Sequence, residues 1–431
     1  MWDTIFDKMM TRLIQHGALT ITYPDGTTRQ YGPGGDIPAA PPPTRGFGPG
    51  PGPAAIGPPI ETAARFTSTS ALRAICLNPD LGLGESFMDG TFRPDDLDAF
   101  LRLVVRNRRP EAMPAWVNWL DGWLTASRRF IQRNTARTSR KNVAHHYDIS
   151  DDLYRLFLDR DMQYSCAYFA RPDMTLEEAQ AAKKVHIAKK LALEPGMRVL
   201  DIGCGWGGMA LTLARDHGAK VTGVTLSENQ LATARARAAA EGLEDQVEFR
   251  LQDYRALTER FDRVVSVGML EHVGLPHYAE YFDQVSRLMA DDGVALIHTI
   301  GRSAPPTRAS PWFDRYIFPG GYIPSLSELA LPMENAGLWT CDIEMLRLHY
   351  ALTIREWQAR FHAREDEVRA MYDDRFVRMW TYYLAACLMA FEEQSHGVFQ
   401  IQLSKSLGTL PITRDYLYAR PASGRAMAAA E

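Results

Sequence analysis

The residues best suited to chemistry lie in one short run, RVLDIGCGWGGMAL, from Arg198 to Leu211. Gly203, Gly205 and Gly208 spell G-x-G-x-x-G, which lets a ligand approach backbone amides at a helix N-terminus. Asp201 stands just before the first glycine, so the run also reads D-x-G-x-G-x-G. A carboxylate there repels a pyrophosphate and suits a ligand with a cationic amino-acid head. S-adenosylmethionine (SAM) has that chemistry: ammonium, sulfonium and adenosine. NAD is the competing ligand, but it calls for an acid about 20 residues on to take the ribose hydroxyls. The second strand instead ends in Thr225, and the next acid, Glu228, falls inside the following helix.

The surrounding pattern must position that loop. MRVLDIG reads as a strand, followed by the glycine turn and a helix to about His217. AKVTGVTL is a second strand, and SENQLATARARAAAEG a helix with Ser227 as N-cap. VEFRLQD, FDRVVSVG and VALIHTIG supply three more strands, the last preceded by the helix HYAEYFDQVSRLMADDG. Such alternation predicts a doubly wound α/β fold with a parallel sheet covered on both faces. Ligands of such sheets sit outside the carboxyl ends of the strands. Upstream, residues 1–16 read as an amphipathic helix, and ALTITYPDGTTRQYG as a hairpin turning at Asp25-Gly26. Residues 61–140 read as mostly helical, with NPDLGLGESFMDGTF a set of turns. The expected division is a mostly helical N-terminal domain over 1–140, with a flexible Pro/Gly-rich segment at 32–59. A catalytic domain follows over 141–420, and then a frayed tail, 421–431.

With 431 residues and a net charge of −4, the chain is not a globally basic nucleic-acid binder. Its five cysteines form no C-x-x-C pair, so neither a zinc site nor a disulfide framework is expected, and the reading is cytoplasmic. No metal site is expected, and His145, His146 and His272 lack metal-ligand spacing. Basic residues crowd one stretch: Arg102, Arg106, Arg108, Arg109, Arg128, Arg129, Arg133, Arg137, Arg140 and Lys141, opposed by Glu111 and Asp121. Within it Trp116, Trp119 and Trp123 share one helical face. That face either packs into a core or rests on anionic lipid with its arginines on phosphates.

LDIGCGWGG, YSCAYF (164–169), GVTLSENQ (223–230), LQDYR (251–255), SVGMLEHVG (266–274), LIHTIG (296–301) and YIFPGGYIPS (316–325) together resemble the cyclopropane-fatty-acyl-phospholipid synthases and the related mycolic acid cyclopropane synthases. NVAHHYDISDDLYRLFLD (142–159) and TYYLAAC (381–387) extend the resemblance from about Asn142 to Leu407. The Pro/Gly insert at 32–59 departs from it. The resemblance implies a SAM-dependent methyltransferase (Rossmann-like) fold. It also implies transfer of a methylene carbon onto a cis double bond of a phospholipid acyl chain. The SAM site would include Tyr164, Ser165, Asp201, Gly203, Cys204, Gly205, Trp206, Gly207, Thr225 and Gln230, with Tyr254 and Arg255 flanking the adenine. A bicarbonate base would be held by Cys166, Glu271, His298, the backbone of Ile300, and Tyr350. His146, Tyr147 and Asp148 are candidates for a lid over SAM. The implied setting is the inner face of the membrane, as a peripheral homodimer acting on unsaturated phospholipid.

The chemistry asked of these residues is demanding. An alkene is a weak nucleophile, and its methylation leaves a carbocation, so the site must align the reactants and exclude water. A small basic anion needs several donors around it. Glu271 follows the fourth strand and His298 ends the fifth, which places both at the carboxyl edge. Each residue also has a duller explanation: Cys166 a small buried hydrophobe, His298 a satisfied core histidine, Tyr350 ordinary packing. Glu271 is harder to dismiss, because a buried carboxylate is costly unless paired. A fatty-acyl methyltransferase making methyl-branched unsaturated lipids shares the same first step and stays open.

Overall fold

The computed structural model describes residues 1–33, 59–108 and 150–418. The N-terminal unit holds α1 (Trp2–Leu13), β1 (Ala18–Thr22), β2 (Thr28–Tyr31), β3 (Glu61–Phe66), α2 (Thr69–Leu77), α3 (Pro79–Met88), β4 (Phe92–Pro94) and α4 (Leu97–Asn107). The hairpin forms as expected, with β1 antiparallel to β2. Two expectations fail. Residues 61–66 are a strand, parallel to β1 and antiparallel to β4, so a four-stranded sheet lies among the helices. Residues 79–88 are helical, because Asn78 caps the helix start and Pro79 occupies the first turn, where its missing N–H costs nothing.

The larger unit continues with α5 (Asp151–Phe157), α6 (Leu176–Lys190), β5 (Arg198–Ile202), α7 (Gly208–His217), β6 (Lys220–Thr225), α8 (Glu228–Ala240), β7 (Val247–Leu251), β8 (Phe261–Val267), α9 (Tyr278–Leu288) and β9 (Met289–Arg302). It ends with α10 (Pro311–Tyr316), α11 (Leu326–Asn335), β10 (Trp339–Leu346), α12 (His349–Ala363), α13 (Glu365–Met371), α14 (Asp374–Glu392), β11 (His396–Ser404) and α15 (Asp415–Tyr418). The strands pair in the order β10-β11-β9-β8-β5-β6-β7. β5 to β9 run parallel, as the alternation predicted. The sheet is not wholly parallel, however. β11 pairs antiparallel with β9, and β10 antiparallel with β11. Ser227 caps α8 as read from the sequence, accepting from the Gln230 amide.

The two units share one aromatic-rich core reaching from Phe6 and Phe66 to Trp357, Trp380 and Tyr383. α3 and α4 pack on α14. Gly84 lies against the buried Trp312 ring, with room for no side chain: a Cβ there would stand 2.4 Å from the indole. Two arginines of the basic stretch are neutralised, Arg102 and Arg106 pairing with Glu392 and Glu393 at 2.7–3.0 Å. The tryptophan face of Trp116, Trp119 and Trp123, the lid candidates His146, Tyr147 and Asp148, and the tail from 421 lie outside the described residues. So do nearly all of the Pro/Gly segment and the expected boundary at residue 140.

Candidate active site

The glycine loop leaves β5 and enters α7 at Gly208. Gly205 adopts φ +53 with open space where a side chain would be, so its backbone faces the cleft bare. Gly208 is glycine for a different reason. A Cβ on it would stand 2.5 Å from Asp161 Oδ2 and 2.4 Å from the Gln163 amide nitrogen.

Those neighbours belong to the segment from Asp159 to Cys166, which crosses the loop between α5 and α6. Asp161 anchors the crossing through its carboxylate to Lys184 and Arg237. Arg237 also donates to the backbone carbonyls of Asp161 at 3.2 Å and Trp206 at 3.0 Å, joining the segment to the loop. From the other side, Asp151 accepts from Trp206 Nε1 and Thr233 Oγ1, both at 2.9 Å.

Between segment, loop and strand ends lies one cleft. Tyr164, Ser165, Asp201, Gly203, Cys204, Gly205 and Trp206 line it at the loop side. Thr225, Gln230, Tyr254 and Arg255 line it beyond β6 and β7. Gly207 does not; it turns the chain at φ +86 against Phe249 and starts α7. Thr225 and Gln230 share a hydrogen bond of 3.1 Å, and Arg255 is held bidentately by Asp253 at 2.6 and 2.9 Å. The Tyr164 hydroxyl meets that of Tyr383 at 2.7 Å, which ties the YSCAYF and TYYLAAC motifs together. Asp201 is buried, its Oδ2 without a hydrogen-bond partner. Burial pushes its carboxyl up to about 7, opposed by the charge of Lys183.

Sequence reasoning missed Gln163, Asp253, Met269 and His272, which also line the cleft. His272 is dehydrated enough that its acidity rises to a pKa of about 4, so it is neutral. It also missed Lys183, fully buried on α6 and bonded to Gln163 Oε1 at 2.6 Å and Ser165 Oγ at 2.8 Å. The only available signal was its position in a helix following YSC, where a lysine pair reads as a solvated face.

The five residues assigned to the base lie outside the cleft lining. Glu271 occupies the turn after β8, and its Oε1 accepts the Ile300 amide at 2.6 Å. Its Oε2 is buried and unpaired, and burial raises the carboxyl pKa against the pull of the Ile300 N–H. β9 runs on to Arg302, so His298 does not end it but pairs with Val267, the last residue of β8. Gln400 on the antiparallel β11 donates to His298 Nδ1 at 3.2 Å, which puts the ring proton on Nε2. That Nε2 is also buried without a partner. Burial, and then the charges of Lys183 and Lys190, keep the ring neutral. Cys166 is a fully buried thiol kept protonated by burial, with Sγ donating to the Ala167 carbonyl at 3.3 Å. Thr353 on α12 accepts the next amide, that of Ala167, at 3.0 Å. Tyr350, one turn earlier on α12, packs its ring on Phe391 at 4.7 Å. Cys166, Ile300 and Tyr350 thus contribute to one apolar cluster, while Glu271 and His298 present polar atoms beside Ile300.

Among the described residues no group of side chains is arranged to hold a metal ion. The cleft at the carboxyl ends of a largely parallel sheet, with an acid at the loop, defines a SAM-dependent methyltransferase. Solved structures agree: the cyclopropane synthase MmaA2 from Mycobacterium tuberculosis matches with a TM-score of 0.59 at 34% identity, over 62% of this chain and 98% of that one. The mycolic acid cyclopropane synthase CmaA1, complexed with S-adenosylhomocysteine and CTAB, matches with the same values. Residues 134–401 match the family model of mycolic acid cyclopropane synthetase, and the chain belongs to that family. The cyclopropane-fatty-acyl-phospholipid synthase of Escherichia coli K12 is 41% identical over 343 residues, 80% of this chain and 88% of that one. The tuberculostearic acid methyltransferase UfaA1 of Mycobacterium tuberculosis is 35% identical over 333 residues, 74% and 78% of the two chains.

Proposed function

We propose that this enzyme adds a carbon from SAM across a cis double bond of a phospholipid acyl chain and closes a cyclopropane ring. The observation that carries the reading is the pair of buried, unpaired polar atoms, Glu271 Oε2 and His298 Nε2, where β8 ends against β9. Buried polar groups without partners need an explanation, and a small bound ion is one that would satisfy both. An acceptor on Glu271, just past the end of β8, and a donor on His298 of the adjacent β9 are the kinds of group that a small protonated oxyanion such as bicarbonate needs. Glu271 would accept a hydrogen bond from its hydroxyl and His298 would donate to another of its oxygens, with Cys166 and Tyr350 the further residues that the family likeness suggests.

SAM supplies an electrophilic carbon on a sulfonium. Asp201 holds the ammonium, and the bare backbone at Gly205 lets the ligand lie close. Methylation of the alkene leaves a carbocation on the lipid, which the apolar cluster of Cys166, Ile300 and Tyr350 shields from water. Loss of one proton from the added carbon closes the ring; Glu271 and His298 would hold a bicarbonate ion, which would supply the base for that proton. The neutral state of His298 suits donation rather than general acid work.

The substrate implies a protein resting on the inner face of a membrane. No described helix is long and apolar enough to cross one. The test is incubation with unsaturated phospholipid vesicles and methyl-labelled SAM. Label in a lipid that resists mild hydrogenation supports ring closure. Label in a lipid that takes up hydrogen readily defeats it and favours the methyl-branching reading, which the resemblance to UfaA1 keeps in view.

A further inference from the structure

One buried cation is used by nothing described so far. Lys183 has no accessible surface, and no carboxylate among the described residues pairs with it. Its ammonium donates instead to two neutral acceptors, Gln163 Oε1 at 2.6 Å and Ser165 Oγ at 2.8 Å. Both belong to residues on the cleft wall. Asp159 and Asp161 act on it only from beyond ion-pair distance, and a buried ammonium without a direct ion pair is costly, so its position beside a ligand cleft needs a reason.

The local bonding supplies one. The Ser165 carbonyl is taken by Gln180 Nε2 at 2.9 Å. The Ser165 hydroxyl accepts from the ammonium, so its own proton must point elsewhere, and the cleft is the open side. The charge of Lys183 also reaches the Asp201 carboxyl, which lines the cleft. The cation among the lining residues, Arg255, is already neutralised by Asp253. Asp201 and Lys183 therefore form a separated negative and positive pair. The methionine end of SAM is a zwitterion with a free carboxylate beside its ammonium.

We propose that Lys183 is a positioning residue for the cofactor's α-carboxylate, acting through Ser165: it turns the hydroxyl proton into the cleft and supplies the positive potential the carboxylate meets. This rests on the cleft being the SAM site, not on the fate of the lipid. Lys183 stays charged for the purpose at neutral pH, although burial lowers its pKa to about 8.

Calorimetric titration of the full chain with two ligands tests it. S-adenosylhomocysteine carries the carboxylate, whereas its decarboxylated analogue, S-adenosyl-3-thiopropylamine, keeps the ammonium and nucleoside without it. Lys183→Met is expected to weaken S-adenosylhomocysteine at least tenfold and the analogue less than about twofold. Ser165→Ala should show the same selectivity, and the double variant should lose far less than the product of the two single losses. Equal weakening of both ligands, or none for S-adenosylhomocysteine, overturns the proposal. If Lys183→Met does not fold, the selectivity of Ser165→Ala decides in the same way. Because lipid is absent from this titration, a failure of ring formation leaves the result standing.

Discussion

The Glu271 carboxylate spans two environments: Oε1 accepts the Ile300 amide at 2.6 Å, while Oε2 lies buried with no partner. One oxygen fixes the side chain against β9, so the other is held in a set direction at the cost of its own solvation. Glu271→Gln preserves the first contact, with its carbonyl oxygen on Ile300, and replaces the second oxygen by a donor. SAM affinity should stay near that of the unaltered enzyme, and turnover should fall roughly a hundredfold or more, as for a lost acid-base group. Calorimetry beside lipid product analysis checks it, and a parallel loss of affinity would move Glu271 into the cofactor site.

Asp201 predicts a pH effect on cofactor binding. Burial raises its carboxyl to about 7, and only the ionised form attracts the ligand's ammonium. Binding therefore requires proton loss below that value. The affinity for S-adenosylhomocysteine should fall as pH drops through 7, approaching about tenfold per unit well below it, since one proton is linked. Asp201→Asn should bind weakly at pH 8 and show no such slope. An unaltered slope in that variant would assign the titration to another group.

Gly84 predicts a stability effect without a binding effect. An alanine methyl would overlap the fully buried Trp312 ring, and overpacking of this kind costs about 1–3 kcal/mol. Gly84→Ala should lower the denaturation midpoint and leave S-adenosylhomocysteine affinity unchanged, because α3 contributes nothing to the cleft wall.

The seam between the units gives a fourth expectation. Glu393 receives Arg106 through two bonds of 2.8 and 2.9 Å and Arg102 at 3.0 Å, all three side chains being less than a quarter exposed. Glu393→Ala leaves two shielded guanidinium groups short of a partner. The expected loss is about 2 kcal/mol, between that of an exposed pair and that of a buried one. Urea denaturation of the single variants and of Arg106→Ala/Glu393→Ala measures the coupling directly.

What the sequence made legible follows from what is local. β5 to β9 and their helices announce themselves by apolar runs, glycine turns and caps such as Ser227, all short-range signals. β3 does not, because its partner β1 lies across the Pro/Gly insert, and pairing over such a distance leaves no periodic trace. α3 carries Pro79, Gly82 and Gly84, which read as turns. In the folded chain Gly82 and Gly84 are sites of close approach, to Ala74 and Trp312. Eleven of the twelve residues assigned to the cofactor line the cleft, many of them because the loop displays them in sequence. Lys183 gives no such signal. In LEEAQAAKKVHIAKK nothing distinguishes the buried Lys183 and Lys190 from solvated lysines, and only the packing of α6 against the sheet does so.

Gly208 bears on how such glycine patterns are to be understood. The ligand does not demand its bareness; the chain passing overhead does, with Asp161 and Gln163 filling the volume a methyl group would need. Part of a signature taken to advertise a bound nucleoside thus records an internal crossing of the polypeptide. A substitution at that position would dislodge the roof of the cleft before it touched anything bound beneath.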